Sequence, residues 1–356
     1  MIDYKIIIVP LVLSICLTPV IKRYSIIAKS YAQENERTVH HGKISRIGGV
    51  AIYLAFMITM ALFVSCDRAL DGIIIGGSIM FFAGLIDDLV DLKASVKLVL
   101  EIIAAIVLIY YGVSVDVIRV FGFAINIPII TVLFTIIWIA GITNAVNLID
   151  GLDGLAGGMS VVILIVIGCL ALVERRIDVV TITFILASAT FGFLVYNAHP
   201  ASIFMGDCGS LFLGFMISAI SLLGFKSSTI VTLGLPILLL MLPIIDTLSA
   251  ILRRTLKGMK FMQADKSHLH HLLMKQFGHG NTVIIMCAIT ALFGLSAFIY
   301  MLNRAIGLVV ILILLLGIEL FIEKSGMINE KFHPLLSLHR RIKEKVTKFK
   351  AKFYFH

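Results

Sequence analysis

The chain has 356 residues, 60% of them hydrophobic and 14% charged, with a mean hydropathy of +1.06 and a net charge of +9. A soluble core of this size does not need so much apolar surface. A transmembrane β-barrel is excluded as well, because its strands would alternate apolar and polar residues with period two.

Apolar runs of about 18 residues or more recur along the chain, each long enough to cross a hydrocarbon core. Eleven spans are expected, at 4–21, 48–65, 70–86, 96–112, 127–143, 159–173, 179–196, 211–224, 229–249, 283–302 and 305–322. The fold expected is therefore all-α, a polytopic membrane helical bundle. No small-residue cleavage site follows the first run, so it reads as a retained span. The connections alternate in character. Short ones carry few basic residues, among them Arg68, Arg119, Arg175, Arg176, Lys226 and Arg304. Segments 22–47 and 250–282 and the tail from Glu323 are rich in Lys and Arg. By the positive-inside rule these richer segments are cytoplasmic, with the N-terminus outside and the C-terminus inside. The clustering by side makes the net charge a membrane signature, and no nucleic-acid partner is expected.

Val113–Asn126 alternates around Gly122 and is expected to form a small outer hairpin. The five cysteines, Cys16, Cys66, Cys169, Cys208 and Cys287, have no metal-type spacing. They read as small core residues outside any disulfide framework. Residues 1–322 form the expected catalytic membrane domain and 323–356 a basic tail. In that tail Leu335, Leu338, Ile342, Val346, Phe349 and Phe353 recur at helical spacing between lysines and arginines. This pattern fits an amphipathic helix lying on anionic membrane lipids.

Four polar segments fall on the expected cytoplasmic face. In "DDLVDLKASVK", Asp87, Asp88 and Asp91 would share one side of a helix. Carboxylates so close repel one another, and a hard cation such as Mg²⁺ removes the repulsion while also binding phosphate oxygens. A solvated helix end is the competing account. "NAVNLIDGLDGLAGG" offers Asn147, Asp150 and Asp153 at spacing three among glycines that permit tight turns. Such a loop suits sugar and base hydroxyls, or serves as an ordinary interhelical turn. In "NAHPASIFMGDCGS", Asp207 stands between Gly206 and Gly209 as a candidate metal ligand, and Phe204 as a base-stacking or core aromatic. "HLHH" supplies His268, His270 and His271, with His268 and His271 on one helical face. Zinc is disfavoured because no second pair has zinc spacing. With Arg253, Arg254, Lys257 and Lys266 nearby, the segment reads as a phosphate-binding loop. A cation transporter is the competing class, but its acids would be expected near mid-membrane rather than at one edge.

These four segments, in this order, resemble the polyprenyl-phosphate N-acetylhexosamine-1-phosphate transferase family over nearly the whole chain. "RTVHHGKISRIGG" (37–49) is similar to the family's first cytoplasmic loop. "HLHH" is similar to the branch that transfers N-acetylglucosamine-1-phosphate to undecaprenyl phosphate. The muramoyl-pentapeptide branch, the alternative within the family, carries three consecutive histidines, a run that Leu269 interrupts here. Lys266 stands where the first branch has an arginine.

The resemblance implies an enzyme of the bacterial cytoplasmic membrane, its active site facing the cytoplasm. Undecaprenyl phosphate would attack a UDP-amino sugar with Mg²⁺, or Mn²⁺ in its place, to give a lipid pyrophosphate and UMP. It implies further that Asp87 engages the nucleophilic phosphate and that Asp88 and Asp207 organise the metal. Asn147, Asp150, Asp153, Asn197 and Phe204 would line the nucleotide pocket, with Lys97 near the phosphates. His268, as a catalytic group, would hold the sugar-phosphate side with His270 and His271. Arg253 and Lys43 would bind substrate, and a homodimer is expected.

Overall fold

The computed structural model describes residues 3–25, 44–120, 123–225, 237–238, 240–256, 268–325 and 337. Among them the chain runs through α1 (Lys5–Ser25), α2 (Gly49–Phe63), α3 (Arg68–Val90) and α4 (Ala94–Tyr110). A two-stranded antiparallel hairpin follows, β1 (Ile118–Val120) with β2 (Phe123–Ile125), in the register Ile118↔Ile125. Then come α5 (Pro128–Ile149), α6 (Leu155–Val173), α7 (Ile177–Asn197) and α8 (Gly206–Phe225). The last four are α9 (Met241–Leu256), α10 (Leu269–Phe277), α11 (His279–Leu302) and α12 (Arg304–Ser325).

Eight of these helices are long and apolar enough to cross a membrane. Each of the eleven expected spans overlaps a helix. Three of those helices, as described, are shorter than a typical span: α2 at 15 residues, α4 at 17 and α9 at 16. The ninth span, expected over 229–249, lies largely outside the described residues, and its described helix begins only at Met241. The expected hairpin is present. The amphipathic tail lies outside the described residues, apart from position 337. All five cysteines are free, but only Cys208 is a core residue, with Cys16 and Cys66 exposed.

Helices that are apolar all round bury in proportion to their place in the bundle. The apolar window of α8 is 89% enclosed and that of α1 or α12 only 22%, so α8 is the central strut and the others face outward. α8 packs most closely on α3 and α5. Apolar surface is no driving force between helices in lipid, so close approach depends on small residues and a few polar pairs. Gly76 of α3 receives the Phe215 ring, and a Cβ at Gly84 would collide with the Asp207 carbonyl. Gly49 of α2 abuts the backbone of Gly209 in the same way. Trp138 Nε1 of α5 donates to Ser221 Oγ of α8 at 3.3 Å, and Asn144 of α5 donates to the buried Glu101 of α4 at 2.6 Å.

The α3–α8 seam carries the first prediction. Gly84→Ala forces these helices apart where the site is built. It should destabilise the protein by about 1–3 kcal/mol, the range for over-packing, and lower its unfolding midpoint in detergent.

Candidate active site

The C-terminal end of α3 and the N-terminal end of α8 meet at one end of the bundle. α3 stops at Val90, and Asp91 follows it in the left-handed region at φ 54°. The three acids expected on one helical side are therefore separated, and Asp91 leaves the helix. Asp87 is buried and bound on both oxygens. Oδ1 accepts the Leu92 N–H at 2.7 Å, and Oδ2 accepts from Lys97 Nζ at 2.6 Å. Asp207 sits in the first turn of α8, and its Oδ2 accepts from the same Lys97 Nζ at 2.7 Å. The Asp87 and Asp207 carboxylates thus meet at one nitrogen. Lys97 is a charge clamp between Asp87 and Asp207, residues 120 positions apart in sequence, and is itself partly open to solvent.

Asp88 points elsewhere. Its Oδ1 accepts the backbone N–H of Asp207 and its Oδ2 that of Cys208, each at 2.9 Å. The first N–H groups of a helix have no partner within it and favour an anion. Asp88 supplies that anion to α8 from a neighbouring helix, and so holds Asp207 in place. Gly206, at φ 72°, leaves no space for a Cβ between the Arg46 carbonyl and Asp88. The Ser45–Gly49 strip locks on alongside. Phe204 N–H donates to the Ser45 carbonyl at 2.8 Å, and Gly48 and Gly49 donate to the carbonyls of Phe204 and Met205 at 3.0 and 2.8 Å.

The glycine-rich segment is mostly helix. α5 continues through Asn144 and Asn147 to Ile149, and α6 begins at Leu155, leaving 150–154 as the turn. Gly157 and Gly158, expected in the loop, are helix-packing positions facing Leu194 and Cys287. Gly154 at φ 73° is the residue the turn requires. Asn147 donates to Ser210 Oγ of α8 at 2.8 Å. Asp150 is half-buried. Burial first, then the charges of Asp207 and Asp88, push its carboxyl up to about 8, against the opposing pull of Arg46.

Asn197 is buried and spends its amide on the protein, accepting from Gly154 N–H at 3.1 Å and donating to the Ile203 carbonyl at 2.9 Å. It ties the turn to the 200s segment. Asp153, 3% exposed, accepts the Ala201 N–H at 3.0 Å and faces His199 Nδ1 at 2.9 Å. His279 Nε2 comes within 4.0 Å of the same oxygen. These three could offer ligand atoms to an ion. The two rings, however, are stacked with centroids 4.1 Å apart and planes 17° from parallel. Imidazoles bound to one ion splay apart, because each ring plane contains its own metal–nitrogen bond. The cluster is therefore a hydrogen-bonded stack that closes the turn against α11.

The histidine segment is the start of α10. His268 precedes the helix as its cap, and it pairs with His270 rather than with His271. His268 Nδ1 is 3.1 Å and His270 Nδ1 3.9 Å from Asp246 Oδ2 on α9. A Cβ at Gly151 would lie 2.8 Å from His270 Nε2, which brings the segment against the turn of Asp150. Burial and then the adjacent His271 push the His270 imidazole down to about 3, against the pull of Asp246. His270 is therefore neutral near neutrality and supplies no charge to a phosphate. Arg253, expected in a phosphate-binding loop, is 2% exposed within α9. Lys43, Lys257 and Lys266 lie outside the described residues.

The structure thus joins Asp87, Lys97 and Asp207 with Asn147, Asp150 and the histidine segment at one end of the bundle. Asp88, Asn197 and Asp153 are brought to the same place but are occupied by backbone groups. Arg46, His199, Ser210, Asp246 and His279 belong to the assembly and were not singled out by sequence pattern. The donor set of Asp87 and Asp207 fits Mg²⁺, which typically takes one or two carboxylates together with water and phosphate oxygens. Their oxygens already converge on one cationic nitrogen, whereas both Asp88 oxygens are turned to α8.

The model of glycosyl transferase family 4 matches residues 70–225. A Bacillus subtilis protein named as a probable undecaprenyl-phosphate N-acetylglucosaminyl 1-phosphate transferase is 36% identical, over 94% of this chain and 95% of its own length. A decaprenyl-phosphate N-acetylglucosaminephosphotransferase of Mycolicibacterium smegmatis is 31% identical over 70% of each chain. A phospho-N-acetylmuramoyl-pentapeptide-transferase of Clostridium beijerinckii is 29% identical over 71% of this chain and 81% of its own.

Proposed function

The chain belongs to the polyprenyl-phosphate N-acetylhexosamine-1-phosphate transferases of glycosyl transferase family 4, and from that premise we propose that it transfers N-acetylglucosamine-1-phosphate from UDP-N-acetylglucosamine to undecaprenyl phosphate. The observation that carries the reading is the 36% identity to the Bacillus subtilis protein along almost the whole of both chains. The convergence of four polar segments at one end of an apolar bundle supports it, since a lipid phosphate and a water-soluble nucleotide meet only at a membrane edge.

An oxygen of the lipid phosphate attacks the β-phosphorus of the donor in line. The new phosphorus–oxygen bond forms as the bond from the β-phosphorus to the oxygen bridging to the α-phosphorus breaks. UMP leaves with that oxygen, and lipid-pyrophosphoryl-N-acetylglucosamine remains. A phosphate monoester has a second pKa of about 6 and is already mostly dianionic at neutral pH. Catalysis therefore rests on positioning and charge neutralisation more than on removing a proton. Asp87 and Asp207 would hold Mg²⁺, which would supply neutralisation of the phosphate oxygens when bound. Lys97 keeps the two carboxylates together and would meet the same oxygens. Asn147 and Asp150 face the nucleotide side, and His268 the sugar phosphate.

The test is purified protein with undecaprenyl phosphate, Mg²⁺ and a panel of UDP-sugars, read as UMP release. Release with UDP-N-acetylglucosamine is expected. Release only with UDP-N-acetylmuramoyl-pentapeptide would move the chain to the other branch, and release with no donor would overturn the reading.

We further propose that the site faces the cytoplasm of a bacterial inner membrane. The α2–α3 turn should then be outside and α10 inside. Cys66 is an exposed native probe in that turn. Partial burial and then Asp71 and Asp67 push its thiol up, which slows thiolate chemistry and calls for labelling at alkaline pH. A membrane-impermeant maleimide on intact cells should label Cys66 and leave a cysteine placed at the exposed Lys275 untouched. Labelling of both from the same side would reject this topology.

A further inference from the structure

Asp246 falls in none of the four polar segments, yet it is 1% exposed and sits directly behind the histidines. A buried carboxylate is stable only with good partners. Its Oδ1 accepts the Leu269 backbone N–H at 2.8 Å, and its Oδ2 faces His268 Nδ1 at 3.1 Å. One oxygen holds the backbone that carries the ring, and the other holds the ring itself. His270 Nδ1, at 3.9 Å, is beyond hydrogen-bond reach of the same oxygen.

We propose that Asp246 is the positioning residue for His268, holding its ring by Nδ1 so that Nε2 is the atom presented to the sugar phosphate of the donor. The inference rests on the transfer reaction above and goes beyond it in naming how one histidine is selected from three. The hydrogen bond made by one ring nitrogen determines the role left to the other. His270 is unsuited to the same role, because burial keeps it neutral. The titratable groups placed beside His268 are Asp246 from α9 and His270 and His271 from its own helix, and the turn of Asp150 lies against His270.

Asp246→Asn separates positioning from capping. The amide keeps an oxygen for Leu269 N–H, but its NH₂ can pair only with a bare Nδ1, so the proton of neutral His268 moves to Nε2. We expect kcat to fall about 100-fold or more while the KM for the donor changes less than about threefold, as for loss of a transition-state contact. Asp246→Asn combined with His268→Asn should be no slower than His268→Asn alone, because the two residues act as one unit. Multiplying losses in the double variant would overturn the proposal. So would an Asp246→Asn enzyme of near-normal turnover.

A second measurement needs no turnover. Nitrogen-15 NMR of the histidine rings reads which nitrogen carries the proton. In the wild type His268 should hold its proton on Nδ1, facing Asp246, and in Asp246→Asn on Nε2. Asp246→Glu, which keeps an acceptor there, should restore the wild-type pattern. An unchanged pattern in Asp246→Asn would overturn the proposal. Should Asp246→Asn not fold, the wild-type protein decides: a His268 ring with a bare Nδ1 rejects the pairing. An inactive wild type would count against the transfer reading, and the ring spectra would still judge Asp246.

Discussion

Asp207→Asn lowers kcat for UMP release by about two orders of magnitude or more, the scale of losing one electrostatic contact made in the transition state. The amide preserves shape and place in the first turn of α8, but it removes the charge that meets Lys97 at 2.7 Å. Asp87→Asn should behave alike, because its oxygen meets the same nitrogen at 2.6 Å. In both variants the apparent requirement for Mg²⁺ should rise. Asp88→Asn is the contrast. Its two oxygens serve the backbone of Asp207 and Cys208, and an amide retains only one acceptor for two donors. Its cost should be mainly structural, about 1–3 kcal/mol for an unsatisfied buried donor, seen as a lower unfolding midpoint with little change in Mg²⁺ dependence. Steady-state UMP release with Mg²⁺ varied, set beside thermal unfolding of the three variants, separates these outcomes. Near-normal turnover in Asp207→Asn at unchanged Mg²⁺ dependence would remove the metal role from this end of α8.

The different fates of adjacent Asp87 and Asp88 show where sequence reading stops. Spacing marked "DDLVD" as an acidic cluster at the end of a span, and Asp87 and Asp88 do lie in the last turn of α3. It could not show that α3 ends at Val90, which dismisses Asp91, nor that α8 begins close enough to need a capping carboxylate. Both facts depend on α3 and α8 touching through Gly84 and Gly76, a contact between segments about 120 residues apart. The glycine segment erred in the same manner. Gly157 and Gly158 look like loop residues by composition, and only the approach of Leu194 and Cys287 makes them packing positions.

Asp246 was the most legible of the omissions. An acid in an otherwise apolar run is costly in a membrane and is a functional candidate by default. It has no motif partner nearby, because its partners lie 22 and 23 positions away. His199 and His279 are 80 positions apart, and no local pattern brings them to Asp153. The spans themselves were readable because hydrocarbon thickness fixes their length, a constraint independent of partners.

Lys97 supplies the second large effect, with a sign opposite to that of the carboxylates. It now stands between Asp87 and Asp207, where a divalent cation would compete with it for the same oxygens. Lys97→Met leaves two carboxylates in reach of each other with no cation between them, an arrangement that favours either a shared proton or a metal. The Mg²⁺ concentration for half-maximal activity should therefore fall several-fold, whereas in Asp207→Asn it rises. Turnover should nevertheless drop by about 100-fold or more if, as proposed, this ammonium meets the phosphates. Inhibition by protons should grow along with it. With the ammonium gone, one of the two acids holds a proton to higher pH, and the acid limb of the kcat/KM profile should move upward at limiting Mg²⁺. Direct Mn²⁺ binding, followed by electron paramagnetic resonance without substrates, measures the metal side separately from turnover. Tighter Mn²⁺ in Lys97→Met and weaker Mn²⁺ in Asp207→Asn is the expected pair of results. Weaker binding in both would mean that Lys97 builds the cation site and does not compete for it, and the assignment of Asp87 and Asp207 as joint ligands would fall.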